Sequence, residues 1–181
     1  MIKQIIKILG KKLLCFTAIL LFGALLGCVY GILNDQITYS ISPEYYTKFK
    51  FSQFGVSPET AADSPRLGAA WVGICATWWS GAILAALLGL FGFMQKSPAR
   101  MLATTGKAAA IVICVAVAAE VLGGLLGIDT FYIPKNVVDK ESFRLVGTLH
   151  NWAYGGGAVG FFAALIYIFS ARTADDIRAT K

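Results

Sequence analysis

The chain has 181 residues, of which 57% are hydrophobic and only 14% are charged, and its mean hydropathy is +0.67. These values place it among integral membrane proteins rather than water-soluble domains. A net charge of +6 is compatible with binding to nucleic acid or to acidic lipid. The distribution of the charged residues along the chain distinguishes these functions from a simple orientation signal.

Residues 1–12 predict a basic interfacial helix, because Lys3, Lys7 and Lys11 recur every fourth position on one face. Residues 13–33 carry no charge and predict the first membrane span, since about 20 apolar residues cross a bilayer. A basic start followed by an apolar run is also typical of a cleaved signal peptide, and this alternative stays open.

A polar segment over residues 34–65 follows the first span. Apolar and polar residues alternate over 37–42, which predicts a strand or extended segment. Pro43 after Ser42 then predicts the start of a helix. An aromatic and basic cluster comes next: Tyr45, Tyr46, Phe49, Phe51 and Phe54, with Lys48 and Lys50. It predicts a docking surface for a partner or lipid head group or, as the favoured interpretation, an aromatic belt at the membrane interface.

Three further apolar stretches predict spans at about 67–94, 108–127 and 145–169. Residues 171–181 form a short charged tail. We therefore predict an all-α integral membrane four-helix bundle, with one membrane domain over 13–170 and two extracytoplasmic loops.

Small residues recur every fourth position in the predicted spans, so they form stripes along which two helices can approach closely. The glycines that we assign to helix packing are Gly23, Gly27, Gly31, Gly73, Gly81, Gly89, Gly123, Gly156 and Gly160.

Basic residues concentrate at one side of this topology. The two ends and the middle loop carry ten basic residues against two acids, whereas the two long loops carry six against seven. The positive-inside rule then predicts an inner-membrane protein with both termini in the cytoplasm and the two long loops outside. The charge is mostly an orientation signal, so we do not expect nucleic-acid binding.

The two halves of the chain have the same order of span, polar loop and span. Each returning span opens with an Arg-Leu pair, at Arg66 and at Arg144. The pattern fits parallel internal repeats, as some transporters use, and it equally fits two simple hairpins.

Few polar residues enter the predicted spans, so each one is a candidate site residue. Glu120 is the only acid inside a span. We expect it to meet other polar residues of similar depth near the outer leaflet: His150, Asn151, Arg66, Arg144 and Thr77. The group is interpreted either as a titrating or ligand-binding site, or as a structural clamp in which Glu120 bonds His150, Asn151 or a tryptophan.

Residues 35–51, with their Ser-Pro-Glu-Tyr and Thr-Lys-Phe elements, and the Pro-Arg-Leu-Gly-Ala run at 65–69 resemble segments of small, uncharacterised bacterial membrane proteins. In that family the first segment follows the first span and the second opens the next span. The resemblance implies a multi-span protein and assigns no activity.

The sequence carries no catalytic or nucleotide-binding motif, and its single histidine argues against zinc or bis-histidine haem. We predict no catalytic residue, no metal and no cofactor, and the four cysteines support no disulfide framework. The expected function is a non-enzymatic accessory or assembly component that contacts lipid and possible protein partners or further copies of itself. The alternatives are a small transporter or channel, and an enzyme acting on a lipid-linked substrate.

Overall fold

The computed structural model describes residues 2–127 and 133–179, with side chains up to residue 173. Within these ranges the chain is helical and contains no strand. The predicted second loop and the tail fall partly outside the described residues. The elements are α1 (Ile2–Ile41), α2 (Pro43–Tyr45), a π-helical turn (Tyr46–Lys50), α3 (Phe51–Gln53), α4 (Pro58–Asp63), α5 (Pro65–Gly92), α6 (Pro98–Leu126) and α7 (Lys140–Ala179).

Four helices, α1, α5, α6 and α7, are long and apolar enough to cross a membrane. The prediction of an all-α bundle of bilayer-length helices is therefore confirmed. Three of the short connections end with a serine whose side chain caps the next helix, namely Ser42, Ser57 and Ser97. A proline follows each of these serines and fits the first helical turn, where no backbone N–H is needed.

The prediction of an extended segment after residue 36 is wrong, because α1 continues as a helix to Ile41. The apparent alternation hides a helical pattern. Asp35 and Thr38 are buried, three residues apart, while Ile37 and Ile41 are exposed, four residues apart. Pro43 then ends the helix, since the residue before a proline avoids the helical conformation.

The four long helices form two closely packed pairs. In the first helix pair, α1 lies against α5, and a methyl group added to Gly27 would come within 2.5 Å of the Thr77 carbonyl oxygen. In the second helix pair, α6 lies against α7, and a methyl group on Gly160 would come within 2.9 Å of the Cα atom of Val112. Side chains larger than hydrogen would force the backbones apart at both places.

Residues 42–54 form a cap over one end of the bundle. The side chains of Tyr45, Tyr46 and Phe51 are almost fully buried and pack against α5 and the start of α7. These aromatic residues therefore form a small hydrophobic core, which differs from both the docking surface and the membrane belt that the sequence suggests.

The cap is fastened to the loop before α7. The Glu44 carboxylate accepts hydrogen bonds from the backbone N–H groups of Val138 and Asp139, at 3.0 and 2.7 Å. Lys48 pairs with Glu44 and donates to the Asn136 carbonyl at 2.5 Å. Because the cap follows α1 and this loop precedes α7, the contacts join the two helix pairs at the capped end.

The opposite end, called the lysine end, is closed by other contacts. Lys12 donates to the carbonyl oxygens of Phe93 and Gln95, at 2.8 and 2.6 Å. A hydrophobic cluster fills the space between α5, α6 and α7 at this end: Leu88, Ala108, Val112, Ala164 and Ile168. This cluster holds α5, α6 and α7 together, and two of its members, Leu88 and Val112, also line the cavity between the helix pairs.

Candidate functional site

A cavity of about 740 Å³ lies between the two helix pairs, and all four long helices contribute to its wall. Most lining residues are alanine, glycine, leucine, isoleucine or valine. Phe22 and Tyr154 line it and still expose 60% and 57% of their surface, so the cavity is also open at the side of the bundle. Its ionisable lining residues and one amide lie towards the cap: Tyr30, Asn34, Asp35, Lys50, His150 and Tyr154. Three small hydroxyl residues, Thr77, Ser80 and Thr105, lie elsewhere along the wall.

Asp35 of α1 and His150 of α7 form a buried pair across the two helix pairs. The Asp35 Oδ1 and His150 Nε2 atoms are 3.2 Å apart, and the residues expose only 4% and 6% of their surface. The other imidazole nitrogen, Nδ1, lies 2.9 Å from the carbonyl oxygen of Val146 one turn earlier. The Tyr45 ring stacks on the imidazole at 5.3 Å between centroids, so the cap covers the pair directly.

Hydrogen-bond partners assign the protons of this pair. The Val146 carbonyl can only accept, so Nδ1 of His150 carries a proton. Nε2 then either donates to an ionised Asp35 or accepts from a protonated one. In both arrangements the hydrogen bond joins α1 to α7.

Glu120 of α6 makes its side-chain hydrogen bonds with α1, and it also interacts electrostatically with His150 of α7. The Tyr30 hydroxyl donates to Glu120 Oε2 at 3.4 Å, and Asn34 interacts with the same carboxyl group. The clamp interpretation of the sequence pairs Glu120 with α7, whereas the structure gives it hydrogen-bond partners on α1. Like the Asp35–His150 pair, this contact joins the first helix pair to the second.

Lys50 places a cation at the capped end of the cavity. It ends the π-helical turn, is only 7% exposed and lines the cavity. Its Nζ atom lies 5.7, 5.2 and 5.5 Å from the ring centroids of Tyr45, Phe49 and Phe54. Burial lowers the pKa of Lys50, an effect that the charge of Asp35 opposes.

The other predicted site residues lie elsewhere. Arg66 is exposed and bonds Gln36 and Ser40 on α1. Arg144 is also exposed, and Asn151 is exposed at a smaller groove between α6 and α7. Thr77 donates to the carbonyl oxygens of Gly27 and Gly73, at 2.7 and 2.6 Å, and borders the cavity from the first helix pair.

Five polar residues at the capped end of the site are absent from the sequence-based candidates: Tyr30, Asn34, Asp35, Lys50 and Tyr154. Asp35 comes just after the first apolar stretch, residues 13–33, and therefore resembles an early residue of the following loop. One signal could have found it, because it lies three residues before Thr38 and four after Gly31, on the helix face that the glycine stripe marks. Lys50 is surrounded by aromatic residues in sequence, a pattern that also suits an interfacial anchor.

In comparisons with known proteins, no family model, no curated protein and no solved structure matches the chain. The family resemblance of residues 35–51 and 65–69 therefore stays a prediction. Any function has to be argued from the cavity and its polar end.

Proposed function

We propose that this protein binds one amphiphilic, lipid-like molecule inside the membrane. The apolar part of the ligand would occupy the cavity between the two helix pairs, and its polar part would contact Asp35, His150 and Lys50. The observation that carries the proposal is the asymmetry of the cavity, whose wall is apolar over most of its length and carries buried ionisable groups at the capped end.

The size and position of the cavity support a lipid-like ligand. A volume of about 740 Å³ falls within the range of roughly 300–1,000 Å³ that encloses small organic ligands. Its opening at the side of the bundle would admit a molecule directly from the bilayer. Because lipid tails are as apolar as the cavity wall, the ligand chain gains little on transfer, and the polar end has to supply the selectivity.

A role that depends on docking of the aromatic cluster to a partner protein has less support. The side chains of Tyr45, Tyr46 and Phe51 are buried within the cap, so they offer little surface to a partner. The charge distribution favours an inner membrane with the capped end outside. The ligand would then be taken from the outer leaflet of a bacterial membrane.

The test fills the cavity without touching the polar end. Ala109 of α6 lines the cavity, whereas its neighbour Ala110 is exposed on the lipid-facing side. The Ala109→Phe and Ala110→Phe variants are purified in an uncharged detergent, and bound lipids are identified by native mass spectrometry. We expect a lipid bound at one per chain in the wild type and in Ala110→Phe, and its loss in Ala109→Phe. Equal occupancy in all three proteins, or no bound lipid in any, would contradict the proposal.

A further inference from the structure

We propose that the ligand is an anionic amphiphile with a single chain, and that its carboxylate or phosphate group is held by Lys50. This inference rests on the proposed function, because it assumes that the cavity takes an amphiphile. Beyond the proposed function, we infer that the head group is negatively charged and that Lys50 selects it.

The first step of the argument is the state of the Lys50 ammonium group. It is buried at the wall of the cavity, and aromatic rings surround its Nζ atom at 5.2 to 5.7 Å. Within the part of the chain that the structure describes, no oxygen accepts a hydrogen bond from it. An ammonium group that faces a mainly apolar cavity without an acceptor is poorly solvated, and a bound anion would compensate its charge.

The second step is the charge of its neighbours. Among the described residues that line the cavity, Asp35 is the only carboxylate. Its Oδ1 atom is already bonded to His150 Nε2. Glu120 does not line the cavity and contacts Tyr30 instead. Lys50 is therefore the one lysine or arginine among the described lining residues, and the one lining carboxylate is engaged by another partner.

The third step is the class of ligand that fits both features. A carboxylate or phosphate forms charge-assisted hydrogen bonds with a lysine, whereas a neutral head group cannot replace the missing counter-charge. The volume of about 740 Å³ suits one chain with a small head group. A fatty acid and a monoacylglycerol phosphate both have this chemistry, so the anion, not the chain, is what Lys50 selects.

The experiment compares two probes that share their acyl chain and glycerol and differ in one phosphate group. Monoacylglycerol phosphate and monoacylglycerol with the same acyl chain are titrated onto the full-length protein in uncharged detergent micelles, and native mass spectrometry gives the dissociation constants. We expect the phosphate-bearing probe to bind about tenfold more tightly or better, as one charge-assisted hydrogen bond implies. In Lys50→Met, which removes the charge and keeps an unbranched side chain one atom shorter, the two probes should bind equally.

Three controls make the result specific. Lys135→Met removes an exposed lysine near the same end and should leave the preference intact. Lys50→Arg keeps the charge and should retain most of it, which answers the objection that Lys50→Met merely disturbs the cap. Inorganic phosphate alone should bind far more weakly than the lipid; equally tight binding would place the anion site outside the cavity and overturn the inference.

The remaining outcomes separate the two proposals. If the wild type binds both probes equally, or if Lys50→Met keeps the preference, the head-group inference is wrong while the cavity proposal stands. If neither probe binds, or if Ala109→Phe binds both as well as the wild type does, the proposed function itself fails.

Discussion

The Asp35–His150 pair offers the sharpest test of how the two helix pairs are held together. Replacing Asp35 by alanine removes the group that faces His150 Nε2 across 3.2 Å and leaves a buried imidazole nitrogen without its partner. Replacing it by asparagine keeps a hydrogen-bonding group of similar shape, because the introduced side-chain amide can donate to the free lone pair of a neutral imidazole.

The size of the effect lies between two limits. Breaking a buried ion pair in a water-soluble protein costs about 3–5 kcal/mol, whereas hydrogen bonds between membrane helices average only about 0.6 kcal/mol. The residues are 4% and 6% exposed, but they border a cavity that water or a ligand can enter. We therefore expect Asp35→Ala to lower the free energy of unfolding by about 2 kcal/mol, and Asp35→Asn by less than about 1 kcal/mol.

The assay is reversible unfolding in mixed micelles with increasing dodecyl sulfate, followed by the fluorescence of the four tryptophans. A double-mutant cycle with His150→Ala isolates the pair from other effects of each substitution. We expect a coupling energy of about 1.5 kcal/mol, the lower end of a hydrogen bond to a charged group. A coupling below about 0.5 kcal/mol, the error of additivity for independent sites, would refute the view that this pair joins the helix pairs.

Three further predictions concern packing, the cap and the buried lysine. Gly27→Ala should destabilise the fold by about 1–3 kcal/mol because its methyl group would meet the opposing backbone, whereas Gly155→Ala, with open space around it, should stabilise α7 by about 0.5–1 kcal/mol in the same unfolding assay. Lys48 and backbone N–H groups lower the pKa of Glu44 below its ordinary value of 4.5. The ionised Glu44 should therefore stabilise the cap fully above pH 4.5, and this stabilisation should be lost as the pH falls through the lowered pKa. Hydrogen exchange of the cap amides should show this acid-induced loss of protection in the wild type and in the control variant Glu59→Gln. In Glu44→Gln, the protection of the cap should not change over the same pH range. Burial lowers the pKa of Lys50, so the free energy of unfolding should rise with pH up to the ordinary value near 10.5; a rise of equal size in Lys50→Met would contradict this.

The membrane helices could be predicted because lipid imposes a simple rule on sequence. A stretch that crosses the bilayer must be long, apolar and hydrogen-bonded within itself, so its length is readable without knowledge of its neighbours. Close approach of two helices likewise needs small residues, which accounts for the positions of Gly27 and Gly160 at helix contacts.

The candidate site was only partly predictable, because its contacts depend on how helices are rotated about their axes. Glu120 and His150 were identifiable as rare polar groups in apolar stretches, yet nothing local determines that one faces α1 and the other Asp35. The end of α1 was misplaced for a related reason. A charged residue ends an apolar stretch in sequence, but Asp35 remains in the helix because a partner on α7 satisfies its carboxyl group.

The arrangement of strong and weak contacts gives the polar end of the cavity a double role. Within each helix pair the backbones touch through glycine and alanine, so each pair is a firm unit. Between the pairs lies the cavity, and at its capped end the pairs meet through the Asp35–His150 and Tyr30–Glu120 contacts. The groups that would recognise a ligand head group are therefore among those that hold the pairs together. A ligand that bonds to them adds contacts to both units at once, so its binding free energy adds to the stability of the assembled bundle.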